Sequence, residues 1–434
     1  MKISIIGAGS AFTQKIVIDI LRIEGLEGGE LALVDTNAER LDLARRIVEM
    51  TIDKTKKTGK WSVSASTDLR EVIGGSKFVI NEIEVMGLQT VKNEFEIPLK
   101  YGVKQCIGDT MGPGGLFKTL RLVPQWLKIV KVIEELCPEV LILSYSNPMS
   151  AVTLATSLVT DIPVVGLCHS VQYTARKLAE LLEVPYEELK YSCAGINHMS
   201  WYTTLTHRGR DLYPELKRRA EDPEFVKNDP VRLDFLRYCG YFVTESSGHF
   251  SEYIPYYRKR QDLIDAHCSL GYNGGTGFYA YGWPEWRKNR DEMIRKQLAG
   301  EEDIVIQSSE EYAPVIIGAV VKDEPAVIYG NVPNRGLIEN LRSDGVVEVA
   351  CLCDHNGVTP CRFGKLPEHL AALNRSNMDF FSLAVGAVLE GSRDMAEHAL
   401  MLDPLSAAVC SPAEIRGMFE ELLEADRDYI VTLK

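Results

Sequence analysis

Cys168, in the stretch VVGLCHSVQ (164–172), and His198, in AGINHMSWY (194–202), place a thiol and an imidazole 30 positions apart. Neither belongs to a paired-cysteine motif. A thiolate and a neutral imidazole are ligands for a divalent cation, yet a lone Cys is also a small core hydrophobe and a lone His a core or surface residue. Spacing alone leaves both readings open. The chain begins MKISIIGAGSAFT, a β-branched run followed by Gly7, Gly9 and Ser10 and then by TQKIVIDILRI, which has helical spacing. A strand, a tight turn and a helix N-terminus in that order offer backbone N–H groups to a pyrophosphate. Phe12 stands where the full fingerprint has a third glycine. Asp35 closes the next strand, ELALVD. A carboxylate there accepts both ribose hydroxyls of an adenosine and repels a 2′-phosphate. The turn and the acid together indicate a dinucleotide, and NAD rather than NADP.

Three further stretches carry groups that could react. CIGDTMGPGGLFKTLR (106–121) gathers Gly112, Gly114 and Gly115 around Pro113, with Asp109 just before them. Such a backbone can approach a ligand and present N–H groups at a helix start; the Asp is equally a helix cap. SNPM (146–149) follows a strand at its carboxyl end, where ligands bind in open α/β sheets. Asn147 is therefore a ligand contact or part of an Asn-Pro turn. ESSGHFSEYIPYY (245–257) crowds His249, Glu252, Tyr253, Tyr256 and Tyr257. A Tyr serves as a base only where a cation or cofactor lowers its pKa. Arg258, Lys259 and Arg260 come next, either an anion-binding cluster or a solvated surface run.

The elements that must position these groups alternate. KISII, ELALV, KFVINEIEV, EVLILSYSNP and IPVVGLC have strand character, separated by helices such as NAERLDLARRIVEMTIDKT, capped by Thr36 or Asn37. Strands alternating with helices predict a parallel sheet covered on both faces. We expect a dinucleotide-binding domain over 1–190 and a second domain over 191–434 for substrate, metal and subunit contacts. In the second domain YSCAGINHMSWYTTLTHRG and AVIYGNVPNRGLIENLRSDGVVEVACLCDHNGVTPC are expected strand pairs, with charged helices over 210–245 and helices at the end. CSLGYNGGTGFYAYGWPE (268–285) is expected to be an exposed loop or interface segment.

The 434 residues are 45% hydrophobic, enough for a large core, with a net charge of −13. Acidity argues against nonspecific binding to nucleic acid or an anionic membrane surface. No apolar stretch approaches the roughly twenty residues of a membrane span. The N-terminus runs from one lysine straight into a strand, unlike a secretory signal. Ten scattered cysteines then suggest reduced thiols in a cytoplasmic protein.

Taken together, GAGS (7–10), GDTMGPGG (108–115), NPM (147–149), GLCHSVQ (166–172), GINHM (195–199), FVTESSGHFSEYIP (242–255) and YGNVPNRGLIENL (329–341) resemble glycoside hydrolase family 4 along nearly the whole chain. These are the NAD- and manganese-dependent glycosidases, and CHSV resembles their α-galactosidase branch. The resemblance implies an N-terminal doubly wound Rossmann-type sheet followed by an α+β C-terminal domain of lactate/malate-dehydrogenase type. It implies NAD, Mn²⁺ and a small glycoside substrate, no nucleic acid or membrane partner, and a homodimer or homotetramer. By the same resemblance Cys168 and His198 hold the metal, and Gly7, Gly9, Ser10 and Asp35 hold NAD. Asn147 contacts a substrate hydroxyl. Asp109 is the candidate acid for the leaving oxygen, with His169 its competitor. Tyr253 is the candidate base at C2, with Glu252 or a metal-bound hydroxide as alternatives.

The implied reaction oxidises the sugar at C3, eliminates the C1 substituent, adds water and reduces C3 again. Melibiose-like α-galactosides are the expected substrates, with α-glucosides or α-galacturonides as the alternative. A 2-hydroxy-acid dehydrogenase would want a His–Asp pair and arginines for a carboxylate, and no metal. A noncatalytic NAD-binding protein would have no use for Cys168, His198 and Asp109 together.

Overall fold

In the computed structural model, residues 1–434 are described except Ala11 and Met86. Six parallel strands form the first part of the sheet: β1 (Lys2–Ile6), β2 (Gly29–Val34), β3 (Trp61–Ser66), β4 (Phe78–Asn81), β5 (Leu141–Ser144) and β6 (Val164–Leu167). They lie in the order 3-2-1-4-5-6, the doubly wound arrangement with its switch point between β1 and β4. Ile3, Ile5, Leu31, Leu33, Val79, and Ile80 are fully buried, as expected of strands with helices on both faces. Asn37 caps the Ala38–Lys54 helix by accepting the Arg40 N–H at 3.0 Å.

The sheet does not stop at β6. The remaining strands are β7 (Leu189–Ile196), β8 (Met199–His207), β9 (Arg210–Asp211), β10 (Phe242–Val243), β11 (Ala326–Pro333), β12 (Val346–Asp354) and β13 (Gly357–Pro360). β11 pairs antiparallel with β6 through Gly330–Leu167 and Asn331–Gly166, and β12, β7, β8 and β10 follow outward. Thirteen strands thus form one mixed sheet. The expected boundary near 190 falls at the start of β7. A helical layer lies against the sheet: Trp126 of the Gly112–Leu136 helix donates to Thr156, and Trp201 of β8 donates to Asn374 in the Glu368–Glu390 helix. Buried indoles with a satisfied N–H of this kind fix how helix meets strand.

Two local expectations change. Only the first part of 268–285 is a loop, since the Phe278–Ala299 helix begins inside it. Gly114 and Gly115 serve packing rather than ligand approach. A Cβ on Gly114 would lie 2.1 Å from the Gly108 carbonyl oxygen, and one on Gly115 would lie 2.3 Å from Thr110 backbone atoms. The Asp109 loop is pressed onto the helix, which only glycine permits. Among the described residues no helix is long and apolar enough to cross a membrane.

Candidate active site

The glycine turn sits at the carboxyl end of β1. Gly7 has φ +83°, and a Cβ there would meet the Glu82 carbonyl at 2.7 Å. Gly9 donates its N–H to Asp35 Oδ2 at 2.9 Å, and Asn37 donates to Oδ1 at 2.9 Å. The carboxylate at the end of β2 is thus fixed against the turn. Ser10 Oγ accepts the Phe12 N–H at 3.1 Å. Phe12, in place of a glycine, stacks on Tyr145. A shallow cleft opens over this turn, walled by Arg40, Arg290 and Ile294. Arg40 donates from Nε to the Gly9 carbonyl at 3.1 Å. This arginine beside the ribose carboxylate was not anticipated from sequence. The turn, the acid and the cleft fit a dinucleotide.

Cys168 follows β6, and His198 occupies the turn of the β7–β8 hairpin, where Ile196 pairs with Met199. His198 has φ +62°, a left-handed conformation costly for a non-glycine residue and characteristic of functional positions. Glu245 (φ +72°) precedes Ser246, the N-cap of the Ser247–Tyr253 helix. One ligand atom each from Cys168, His198 and Glu245 lie within 4.8 Å of one another. Sequence reasoning named the first two and missed Glu245, whose only local signal is its place before a serine cap.

The electrostatics suit a cation. Burial, then the His249 charge, pushes His198 down to about 4, so the imidazole is neutral. Burial raises Glu245, but His198 and His249 outweigh it and hold the carboxylate ionised. Burial, with Glu245 and Glu348 nearby, pushes the Cys168 thiol well up. The oxygen of Glu245 hardens a set that Cys168 alone would make soft. Among the described residues Asn147 Oδ1 and both amide atoms of Asn197 are buried with no hydrogen-bond partner. A thiol, a neutral imidazole, a carboxylate and orphaned amides make a donor set that fits a divalent cation with open positions.

Beside this cluster lies a chain of charged groups. His249 Nδ1 is 3.2 Å from Glu245 Oε1 and its Nε2 is 3.3 Å from Asp109 Oδ1. Burial would lower the His249 pKa, but the two carboxylates raise it to about 10. Burial raises Asp109, yet Lys118 (3.8 Å) and His249 hold it well below the usual carboxylate range. The proton of this pair therefore rests on the imidazole. Asn147 Nδ2 reaches Asp109 Oδ2 at 3.4 Å. Tyr253 places its phenol 3.4 Å from His198 Nδ1, and burial followed by Asp109 keeps it protonated.

The other sequence candidates lie elsewhere or do other work. His169 follows Cys168 but turns to Glu311 (3.6 Å), between the rings of Phe12 and Tyr173, and makes no hydrogen bond to Asp109. Glu252 is buried and accepts the backbone N–H groups of Cys106, Ile107 (3.0 Å) and Gly108 (3.2 Å), which leaves it an anchor for the Asp109 loop rather than a base. Arg258 is buried and spends its donors on Lys104, Gly274 (2.9 Å) and Thr276 (3.0 Å), and Arg260 pairs with Asp262. Arg258 and Arg260 are thus engaged within the protein.

The chain matches the family 4 glycosyl hydrolase over residues 2–184 and the family 4 glycosyl hydrolase C-terminal domain over residues 193–406. It belongs to this family. It is 37% identical to the α-galactosidase of Bacillus subtilis (strain 168), with all of both chains covered. It is 34% identical to the α-galactosidase of Rhizobium meliloti (strain 1021), covering 99% of this chain and 89% of that one. Among solved structures, the 6-phospho-β-glucosidase of Thermotoga maritima, determined with manganese, NAD⁺ and glucose-6-phosphate, superposes with a TM-score of 0.82 at 23% identity, covering 100% of each chain. That likeness shows the shared fold. In this family 4 glycosidase the glycine turn, Asp35 and Cys168 lie at the carboxyl ends of β1, β2 and β6, His198 in the β7–β8 hairpin, and the Asp109–His249 pair between the loop before the Gly112–Leu136 helix and the Ser247–Tyr253 helix.

Proposed function

We propose that the enzyme hydrolyses neutral α-galactosides such as melibiose, by oxidation at C3, elimination across C1–C2, addition of water and reduction at C3. The observation that carries this reading is the convergence of Cys168, His198 and Glu245 beside Asp109 and His249, beyond the carboxyl end of β6. The two α-galactosidases similar to it over almost their whole length support the sugar. When bound, NAD⁺ supplies a hydride acceptor and donor, and Mn²⁺ supplies Lewis acidity toward the sugar C2 and C3 oxygens.

The residues divide the remaining work. Gly7, Gly9, Ser10 and Asp35 would hold the dinucleotide, and Cys168, His198 and Glu245 the cation. Asn147 Oδ1, buried without a partner among the described residues, is free to accept a sugar hydroxyl. The Asp109–His249 pair holds a proton within reach of the leaving oxygen. Tyr253 takes the C2 proton, and its position against His198 is where nearby positive charge would lower the pKa of the phenol. His169 is the outlying residue of the set, held by Glu311. The charge balance favours a neutral sugar: Lys118 is matched by Glu84 at 2.7 Å and by Asp109, and Arg258 is spent on backbone carbonyls. A phosphate or uronate would need a cation to spare.

The test is hydrolysis of 4-nitrophenyl α-galactoside with NAD⁺, Mn²⁺ and a thiol reductant, each omitted in turn. Activity lost on omission of NAD⁺ or Mn²⁺ supports the reading. Preference for a galacturonide or a 6-phosphosugar would overturn the sugar. Our reading of the enzyme as a cytoplasmic homo-oligomer rests on composition and resemblance, and light scattering of the purified protein tests its subunit count.

A further inference from the structure

The reaction described above makes no use of the Phe278–Ala299 helix, yet this helix touches both sites. Its later turns close the glycine cleft: Asp291 pairs with Arg40 at 3.4 Å, and Arg290 donates to Gln14 at 3.2 Å. Its first turn is laced to the segment leading into Asp109. The Gly277 N–H donates to the Gln105 carbonyl at 2.8 Å and the Tyr279 N–H to the Cys106 carbonyl at 3.0 Å. A shallow cleft lies there, lined by Asp109, Lys118, Phe95, Ile107 and Tyr279. Cys168, His198 and Glu245 do not line it, so it extends from Asp109 away from the cation cluster. Apolar walls with a few polar groups are the lining that orients a small organic moiety.

The polar groups of this cleft are mostly engaged. Gln105 donates to the Glu94 carbonyl at 2.7 Å and accepts the Gly114 N–H at 3.3 Å, while Glu94 is paired with Arg121. The Tyr279 phenol is the exception. Among the described residues its oxygen has no hydrogen-bond partner. Its ring is held by stacking on Trp283, with centroids 5.5 Å apart and planes at 14°. Burial, then the nearby carboxylates of Asp109 and Glu84, keeps the hydroxyl protonated and therefore a donor.

We propose that this cleft receives the leaving group of the glycoside, and that the Tyr279 hydroxyl donates a hydrogen bond to a sugar hydroxyl of that leaving group. The assignment rests on the α-galactosidase reading, with Asp109 at the leaving oxygen. It makes Tyr279 a determinant of which aglycone is accepted, contributed by a segment that carries none of the residues assigned to the reaction.

The test compares the holoenzyme with its Tyr279→Phe variant on melibiose, on 4-nitrophenyl α-galactoside and in inhibition by galactose. Loss of one hydrogen bond should lower kcat/KM for melibiose roughly 3- to 10-fold, mostly through KM, and change the other two by less than about twofold. Unchanged NAD⁺ affinity shows that the variant is folded. Equal losses on both substrates with weaker galactose inhibition would place Tyr279 against the galactose ring and overturn the assignment. No change on any of the three would overturn it as well. If the wild-type enzyme cleaves neither galactoside, the α-galactosidase reading itself fails before the variant is compared, and this assignment falls with it.

Discussion

His249 Nε2 lies 3.3 Å from Asp109 Oδ1, which makes an imidazole from the second half of the chain the partner of a carboxylate from the first. The pair joins the helix that begins after Glu245 to the loop pressed on the Gly112–Leu136 helix. If it delivers the proton to the leaving oxygen, the two residues act as a unit. Asp109→Asn and His249→Asn should each lower kcat on melibiose by roughly 10²- to 10⁴-fold, and the double variant should be little worse than either. Nitrophenoxide needs less protonation, so losses on the nitrophenyl glycoside should be smaller. Additive losses, or equal losses on both substrates, would separate the two residues.

Glu245 adds an oxygen to the Cys168 and His198 ligands. Glu245→Gln and Cys168→Ser should each weaken Mn²⁺ binding at least about tenfold, measured by electron paramagnetic resonance titration, with NAD⁺ affinity retained. Oxidation of the Cys168 thiol should have the same effect as its replacement. Wild-type Mn²⁺ affinity in Glu245→Gln would remove that residue from the ligand set.

Asp35 is held by Gly9 and Asn37 against the glycine turn, where it would accept the adenosine ribose. Losing a charge-assisted contact should weaken NAD⁺ binding in Asp35→Ala by roughly 10- to 100-fold in calorimetry, with the fold intact. An unchanged affinity would place the ribose elsewhere.

Much of this was legible in the chain, for physical reasons. Five of the six parallel strands are short, largely buried apolar runs, and such runs separated by helices leave few arrangements open; the edge strand β3, WSVSAS, is half-exposed and carries no such run. Gly7 and Asp35 stand out at a glycine turn and a strand end, whereas the spacing of Cys168 and His198 left their role open and only the family resemblance assigned it. Glu245 was not legible, because ESSGH looks like a capped helix start and only the fold brings its carboxylate to Cys168. The continuity of the sheet was hidden too: Gly330 and Asn331 must reach Leu167 and Gly166 across more than half of the second domain. Glu252 misled because a carboxylate next to Tyr253 suggests a base, whereas its partners are three backbone N–H groups remote in sequence. The sequence left the Arg258 run open between an anion cluster and a surface run; Arg258 itself is buried and donates to Gly274 and Thr276.

The anchoring role of Glu252 has its own consequence. Glu252→Gln replaces one acceptor oxygen by a donor facing backbone N–H groups, so it should cost about 1–3 kcal/mol of stability. It should also lower kcat by freeing the Asp109 loop, while NAD⁺ affinity holds. Wild-type melting and turnover in this variant would contradict the role.

Asp229 fixes the start of the Ser247–Tyr253 helix through Ser247 and is held by Lys177 at 2.7 Å and Arg232 at 3.0 Å. Burial raises its pKa, but the two cations outweigh that and lower it below the ordinary value. A depressed folded-state pKa contributes stability above the unfolded value, near 4, that is lost as the pH falls through the folded value. Asp229→Asn should therefore cost about 3 kcal/mol at pH 7, with the gap to wild type narrowing below about pH 4 in denaturant titrations. A gap independent of pH would show that its charge is immaterial.

The central claim is that the galactose C2 hydrogen leaves during turnover. Melibiose hydrolysed in D₂O by the enzyme with NAD⁺ and Mn²⁺ should give galactose carrying deuterium at C2, seen by proton NMR, with no steady accumulation of NADH. Galactose that keeps its full C2 proton signal, or NADH formed one for one with product, would contradict the account.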